Sequence, residues 1–218
     1  MKRVWLFAIA GALTTVGLVG WTTRAEKLEV PFYRSAELTP EWLTLQSASS
    51  RSMHHALPFA LTDQNGATIT ADAFASRATV IHFFFTTCAG VCPTTQGNLA
   101  RMLAKMSNET RVQVLSHSVT PERDSVPMLK MYADMHNIQD TRWHLLTGPR
   151  TLMEQLARES YFVNLNNGRS YGVSDLAHTE TLVLIDGAGR IRGVYTGSLQ
   201  LDIERLAEDI HAVLAEKS

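Results

Sequence analysis

The sequence predicts an α/β domain, a mixed sheet flanked by helices, with an N-terminal hairpin and one N-terminal transmembrane helix. Three observations predict it. Beyond residue 57, β-branched and aromatic runs alternate with segments of helical spacing. The run ATVIHFFF at 78–85 is almost unbroken, as in a strand buried on both faces. Residues 4–23 contain no charge, and ~20 apolar residues is the length a helix needs to cross a bilayer.

Taken in order, the apolar run follows Lys2 and Arg3 and is closed by Trp21, an interfacial aromatic. A secretory signal has a shorter apolar region and small residues at its cleavage site. No A-x-A follows here, so a retained anchor over 1–23 is expected, with a cleaved signal as the alternative. A lone span ahead of a polar domain places that domain outside the cytoplasm, in an oxidising compartment. Residues 24–52 read as a tether, with Pro31, Pro40, a Ser-rich patch and one helical turn at 39–45. The domain proper is expected over 53–218.

Within it, 57–62 and 67–70 flank Asn65-Gly66, a hairpin signal. Helical spacing at Leu99, Met102, Leu103 and Met106 predicts a helix over 93–106. Strands follow at 111–118 and 143–146, each succeeded by a helix, 125–136 and 149–160. Strands 181–186 and 191–196 straddle Gly187-Ala188-Gly189 as a second hairpin, and 201–214 is a closing helix. This is the order of a thioredoxin-like fold.

Composition narrows the function. Twenty Lys+Arg against 21 Asp+Glu leave a formal charge of −1, so no basic stripe exists to hold a nucleic acid through its phosphates. Two cysteines can form neither a disulfide framework nor a four-thiolate zinc site. Any chemistry they do, they do as a pair. Cys88 and Cys92 sit where the 78–85 strand ends and the next helix begins, with Pro93 at the first helical position. The helix N-terminus favours thiolate there, and Gly90 suits a tight intervening turn. Two thiolates are soft donors suited to Cu(I). The C-x-x-x-C spacing is one residue wider than the C-x-x-C of thioredoxin-type redox motifs. It leaves room for a metal without forbidding a disulfide.

These residues resemble the Sco/SenC family, copper-binding, membrane-anchored assembly factors for cytochrome c oxidase. The resemblance runs from about residue 57 to the C-terminus. It is carried by Phe84-Phe85-Thr86-Thr87-Cys88-x-x-x-Cys92-Pro93, by Ser118-Val119-Thr120-Pro121-Glu122-Arg123-Asp124, and by Trp143-His144-Leu145-Leu146-Thr147-Gly148. It implies a thioredoxin-like fold and a copper site made of both cysteines and a histidine just before a late strand. Only His178 matches that histidine. No proline follows Pro149, so the loop before the late strand lacks the cis-proline of thioredoxins and offers an imidazole instead. Many members carry an acidic residue next to the histidine, where this chain has Ala177. Asp175, three positions before the histidine, is the carboxylate offered to orient the ring.

The resemblance further implies a metallochaperone holding copper, as Cu(I) or Cu(II), for the copper-bearing subunit of cytochrome c oxidase. An upstream copper donor and a thioredoxin-like reductant are expected partners. The implied location is the inner membrane, single-pass, with the domain in the periplasm. Two other readings use the same sulfurs. One is a thiol–disulfide reductase acting on the acceptor's cysteines, with Cys88 as nucleophile. The other is a thiol peroxidase, for which Thr87 is available but no arginine can be placed. The methionines at helical spacing, Met102, Met106, Met128, Met131 and Met135, read as core filler. His54 and His55 read as solvated linker, His82 as a core residue, and Asp124 as a helix cap.

Overall fold

Strand β3, Ala78–Phe84, is buried at every position and runs through the middle of a seven-stranded sheet. The structure, a computed structural model, describes residues 30–33, 54–88, 90, 92–163 and 180–216. The expected anchor over 1–23, the helical turn at 39–45, and Asp175 and His178 lie outside the described residues. Among the described residues no helix is long and apolar enough to cross a membrane.

The strands are β1 (Ala60–Asp63), β2 (Thr68–Thr70), β3, β4 (Val112–Ser118), β5 (Trp143–Thr147), β6 (Thr181–Ile185) and β7 (Ile191–Thr196), in spatial order β2-β1-β5-β4-β3-β6-β7. Pairs β3–β4 and β4–β5 are parallel, and the remaining pairs are antiparallel. Both expected hairpins form. In the first, Gly66 takes φ +81°, and Asp63 Oδ1 accepts from the Asn65 and Ala67 amides at 2.8 and 2.9 Å. The helices are α1 (Cys92–Lys105), α2 (Val126–Met135), α3 (Arg150–Gln155) and α4 (Gln200–Ala215). The single helix expected at 149–160 is α3 followed by a π-helical turn, Leu156–Ser160. A 3₁₀ turn at Ala71–Phe74, capped by Thr70, was not signalled by periodicity.

Alternation along the strands divides the core in two. Val80, Phe84, Val114, Leu182 and Leu184 face α1, α2 and α4, where Leu99, Leu103, Leu129 and Leu206 pack. Ile81, Phe83, Leu115, Val183 and Ile185 face the other way, onto Phe59, Met153, Leu156 and Tyr161. His82 and His117 follow the same alternation and are fully buried, one in each half. His82 Nδ1 lies 3.2 Å from Ser116 Oγ, which also accepts from Trp143 Nε1 at 2.9 Å. His117 stacks on Phe83, its Nδ1 3.2 Å from the Leu115 carbonyl. His82 is thus the satisfied core residue the sequence suggests.

Residues 30–33 are held against the sheet. Arg192 on β7, 1% exposed, donates to the Val30 carbonyl at 2.6 Å and the Pro31 carbonyl at 3.1 Å. Its guanidinium meets Glu216 at 2.6 and 2.7 Å and lies 3.8 Å from the centre of the Phe32 ring. Tyr33 N donates to the Ile191 carbonyl at 3.3 Å. Planar, five-donor arginine suits this site because it serves carbonyls, carboxylate and ring together. Of the two histidines expected in a solvated linker, His55 is exposed but His54 is half-buried. His54 Nε2 is 2.8 Å from the Ser160 carbonyl, its ring 4.5 Å from that of Phe162, and His55 bridges to Arg190.

Two outcomes are expected. Burial lowers His82 to about 3 and His117 to about 4, so both are neutral in the fold, whereas the unfolded chain protonates them near 6.5. Stability is then complete above that value and declines as pH falls from it toward 4, by about 1.4 kcal/mol per pH unit for each histidine. His117→Phe, seated among Phe59, Phe83 and Tyr161, should remove one histidine's share of that slope, read as unfolding free energy against pH; an unchanged slope would refute the assignment. Secondly, a fragment beginning at residue 54 should melt several degrees below one beginning at residue 28. Losing two charge-assisted hydrogen bonds costs about 1.5–3 kcal/mol each, and 1 kcal/mol is worth about 2–4 °C in a domain of this size. Equal melting temperatures would show that the strap contributes nothing.

Candidate metal centre

The site is built by the exit from β3. Cys88 N donates to the Phe85 carbonyl at 3.2 Å, which turns the chain immediately after the strand. Cys92 is the first residue of α1, with Pro93 in its first turn, as the sequence predicts. Both cysteines are free thiols. Cys92 is 4% exposed and belongs to the core on the α1 side, while the half-buried Cys88 packs against that cluster. The two thiols are close enough for Cys88 to bear on the titration of Cys92. Gly90 adds less than expected: a Cβ there would meet no atom within 4 Å, and its φ lies outside the left-handed region.

The expectation of a thiolate at the helix start is overturned for Cys92. Burial, reinforced by the neighbouring Cys88, pushes its thiol up to about 12. Desolvation outweighs the helix dipole, whose contribution falls off within one turn.

Asp124 is not the helix cap it resembles in sequence. The N-cap of α2 is Ser125, and Asp124 is fully buried. Its carboxylate accepts from the hydroxyls of Thr86 at 2.5 Å, Ser118 at 2.5 Å and Thr120 at 3.0 Å, and from Thr86 N at 3.4 Å. One buried carboxylate therefore ties the turn before Cys88 to the end of β4. Val119 N, donating to the Phe84 carbonyl at 2.9 Å, adds a second tie. The only sequence signal was the cluster of hydroxyl residues at two predicted strand ends.

Tyr132 of α2 closes the same side. Its hydroxyl accepts from Gln96 Nε2 at 2.7 Å and donates to Gln96 Oε1 at 2.9 Å. Burial pushes the phenol up to about 12, with the charges of Cys92, Cys88 and Asp124 acting in the same direction. Neither Gln96 nor Tyr132 was singled out by motif or spacing.

Opposite them, the chain enters β6 against α1. The Glu180 carbonyl accepts from Gly197 N at 2.7 Å, and the Gly197 carbonyl accepts from Asn98 Nδ2 at 2.7 Å. A Cβ at Gly197 would lie 2.5 Å from Thr95 Cγ2 and 3.1 Å from the Glu180 carbonyl oxygen. That close approach is the reason for glycine here. Among the described residues no group of three or more His, Cys, Asp or Glu side chains could hold a metal ion. The described part of the centre is therefore the cysteine pair, and the expected third ligand, His178, lies outside it.

A mixed sheet with helices on both faces and two cysteines at a central strand-to-helix turn defines a thioredoxin-like domain with a paired-thiol site. The chain belongs to the SCO1/SenC family, whose model matches residues 47–215. It is 23% identical over 155 residues to the SCO1 protein homolog of Bacillus subtilis, covering 70% of this chain and 79% of that one. It also resembles the solved structure of BsSco, described as a member of the Sco family of cytochrome c oxidase assembly proteins. That likeness has a TM-score of 0.64 at 23% identity, over 75% of this chain and 95% of the other. A third relative is Bradyrhizobium japonicum ScoI, solved with copper bound, at TM-score 0.54 and 26% identity over 73% of this chain and 99% of that one.

Replacing Asp124 by Asn should cost about 1–3 kcal/mol, because the amide turns a donor toward hydroxyls that need an acceptor. Thr86→Val, removing one hydroxyl, should cost about 1 kcal/mol. Urea denaturation measures both, and amide exchange at Cys88 should accelerate in each. A destabilised Asp124→Asn with unchanged exchange at Cys88 would separate this carboxylate from the cysteine turn.

Proposed function

We propose that this protein is a copper metallochaperone that binds copper through Cys88, Cys92 and His178 and assists assembly of the dinuclear copper site of cytochrome c oxidase. The observation that carries the reading is the pair of adjacent sulfurs at the end of β3, clamped from behind by Asp124 and left partly open at Cys88. Two soft sulfurs on a rigid strand end suit Cu(I). Metal entry must release the protons these thiols hold.

His178 is supported by chain geometry. Glu180 is fixed beside Thr95, three residues after Cys92, and two residues span at most ~7 Å. A residue two positions ahead of Glu180 is within reach of the start of α1. Asp175 would orient the imidazole through its second nitrogen.

Delivery follows by ligand exchange. A site with two sulfurs and one nitrogen leaves an open position, and the acceptor's cysteines replace these donors one at a time. The acceptor is the copper-bearing subunit of cytochrome c oxidase, and the copper comes from an upstream donor. A thioredoxin-like reductant keeps the pair as thiols. The uncharged run at 4–23 anchors the protein in the inner membrane, with the domain in the periplasm. Only residues 24–29 separate that run from the strap held by Arg192, so the docked edge sits within about 20 Å of the bilayer surface. The strap meets β7 at Ile191, at the opposite end of the sheet from the cysteines, which directs the copper end away from the membrane attachment.

Anaerobic titration of the reduced fragment 28–218 with Cu(I), against a competing chelator, tests the site. One tight equivalent is expected, weakened tenfold or more (~1.4 kcal/mol) by His178→Ala. Absence of competitive binding would overturn the chaperone reading and leave Cys88 and Cys92 as a redox pair. Tight binding indifferent to His178 would move the third ligand elsewhere.

A further inference from the structure

The five methionines read together in the sequence divide into two groups. Met102 and Met106 are buried at 2% and 5%, core filler as expected. Met128, Met131 and Met135 are not: they are 36%, 49% and 71% exposed. At ~100° per residue they fall within a ~60° arc of α2, a stripe of thioethers in solvent. Helix α2 needs no such stripe for folding. Its buried face is Leu129, Tyr132 and Ala133, and its polar face carries the Lys130–Asp134 ion pair at 3.1 Å.

The helix that carries the stripe packs against the one that Cys92 starts: Tyr132 shares a core cluster with Cys92 and bonds to Gln96, four residues after it. Tyr132 lies between the methionine arc and the core, and its phenol senses the charges of Cys88, Cys92 and Asp124. Met128 is one turn before Tyr132 on the same helix, toward the loop in which Asp124 grips the turn before Cys88. Residues three and four apart on a helix are neighbours, ~5–6 Å between Cβ atoms. Met131 can therefore share an ion with Met128 on one side or Met135 on the other. Thioether sulfur is a neutral, soft donor selective for Cu(I), and it requires no deprotonation.

We propose that Met128, Met131 and Met135 form a second, weaker Cu(I) site on α2, an entry position from which the ion passes to Cys88 and Cys92. Transfer is ligand exchange without a change of oxidation state: thioether–copper bonds break as thiolate–copper bonds form, and the thiol protons leave to solvent. The gradient runs from neutral to anionic sulfur, so it is directed. The inference rests on the copper reading of the cysteine pair, but the arm of its test that lacks both cysteines does not.

The test uses the full chain with Cys88→Ser and Cys92→Ser, which leaves the stripe as the sulfur donors in question, under anaerobic conditions with Cu(I) as the probe. Carbon-13-labelled methionine methyl groups report directly. The expected result is a saturable shift of three methyl signals, those of Met128, Met131 and Met135, with Met102 and Met106 unmoved. Substituting all three by Leu, tolerated at exposed helix positions, should abolish saturable binding in the serine background. In the parent chain the same three substitutions should leave the tight equivalent in place but slow its loading several-fold when copper is supplied at low concentration. Methyl signals that do not move under excess Cu(I), or binding retained after substitution by Leu, would overturn the proposal. Loss of the tight equivalent in the parent on replacing the cysteines alone bears on the cysteine reading and not on this one.

Discussion

The structure depends on β3 being buried on both faces. A strand with no solvent face can be neither an edge nor a site along its length, and its side chains from Ala78 to Phe84 are committed to packing. Chemistry becomes possible only where it ends. The parallel neighbour β4 ends in the same register, Phe84 opposite Ser118, so both chains leave the sheet together. Asp124 exploits that coincidence, collecting hydroxyls from Thr86, Ser118 and Thr120. A buried carboxylate is costly unless its acceptors are filled, and here filling them fixes the turn that presents Cys88.

The far end of the sheet is organised by a different charge. Arg192 is buried with Glu216 and Asp186 as carboxylate partners, and the carbonyls of Val30 and Pro31 take its remaining donors. The pairing holds Glu216 below the usual carboxylate range, chiefly through its hydrogen bonds to Arg192. Strand β7, the end of α4 and residues 30–33 are thereby joined into one unit. The two ends of the domain are held differently, one by a carboxylate gathering neutral donors and the other by a guanidinium gathering acceptors.

Much of this was legible in the sequence. Strand β7 has the expected bounds, and β3 and α1 end within one residue of theirs, because unbroken apolar runs and a helix-starting proline are local signals. The paired cysteines were legible for the same reason. What sequence reading missed depends on partners distant along the chain. Asp124 looks like a cap because Ser125 follows it and a helix begins, yet its hydroxyl partner Thr86 is 38 residues away. The methionines of α2 share the spacing of those of α1, and spacing cannot say which side of a helix the sheet covers. Residues 30–33 look like tether because the arginine that holds them lies more than 150 residues later.

The asymmetry of the two sulfurs gives the proposed transfer a direction. Cys92 is inside the core cluster, and burial holds it as a thiol in the absence of metal. Cys88 is half-buried, at the open side of the turn. In that transfer an incoming acceptor would meet Cys88 first, and Cys92, buried in the core cluster that includes Tyr132, would keep the ion until the acceptor had supplied a replacement. On release Cys92 would return to a protonated, buried state that the fold already favours. The same desolvation that makes Cys92 a poor free thiolate thus makes it a good leaving ligand, and a site meant to give its metal away needs one.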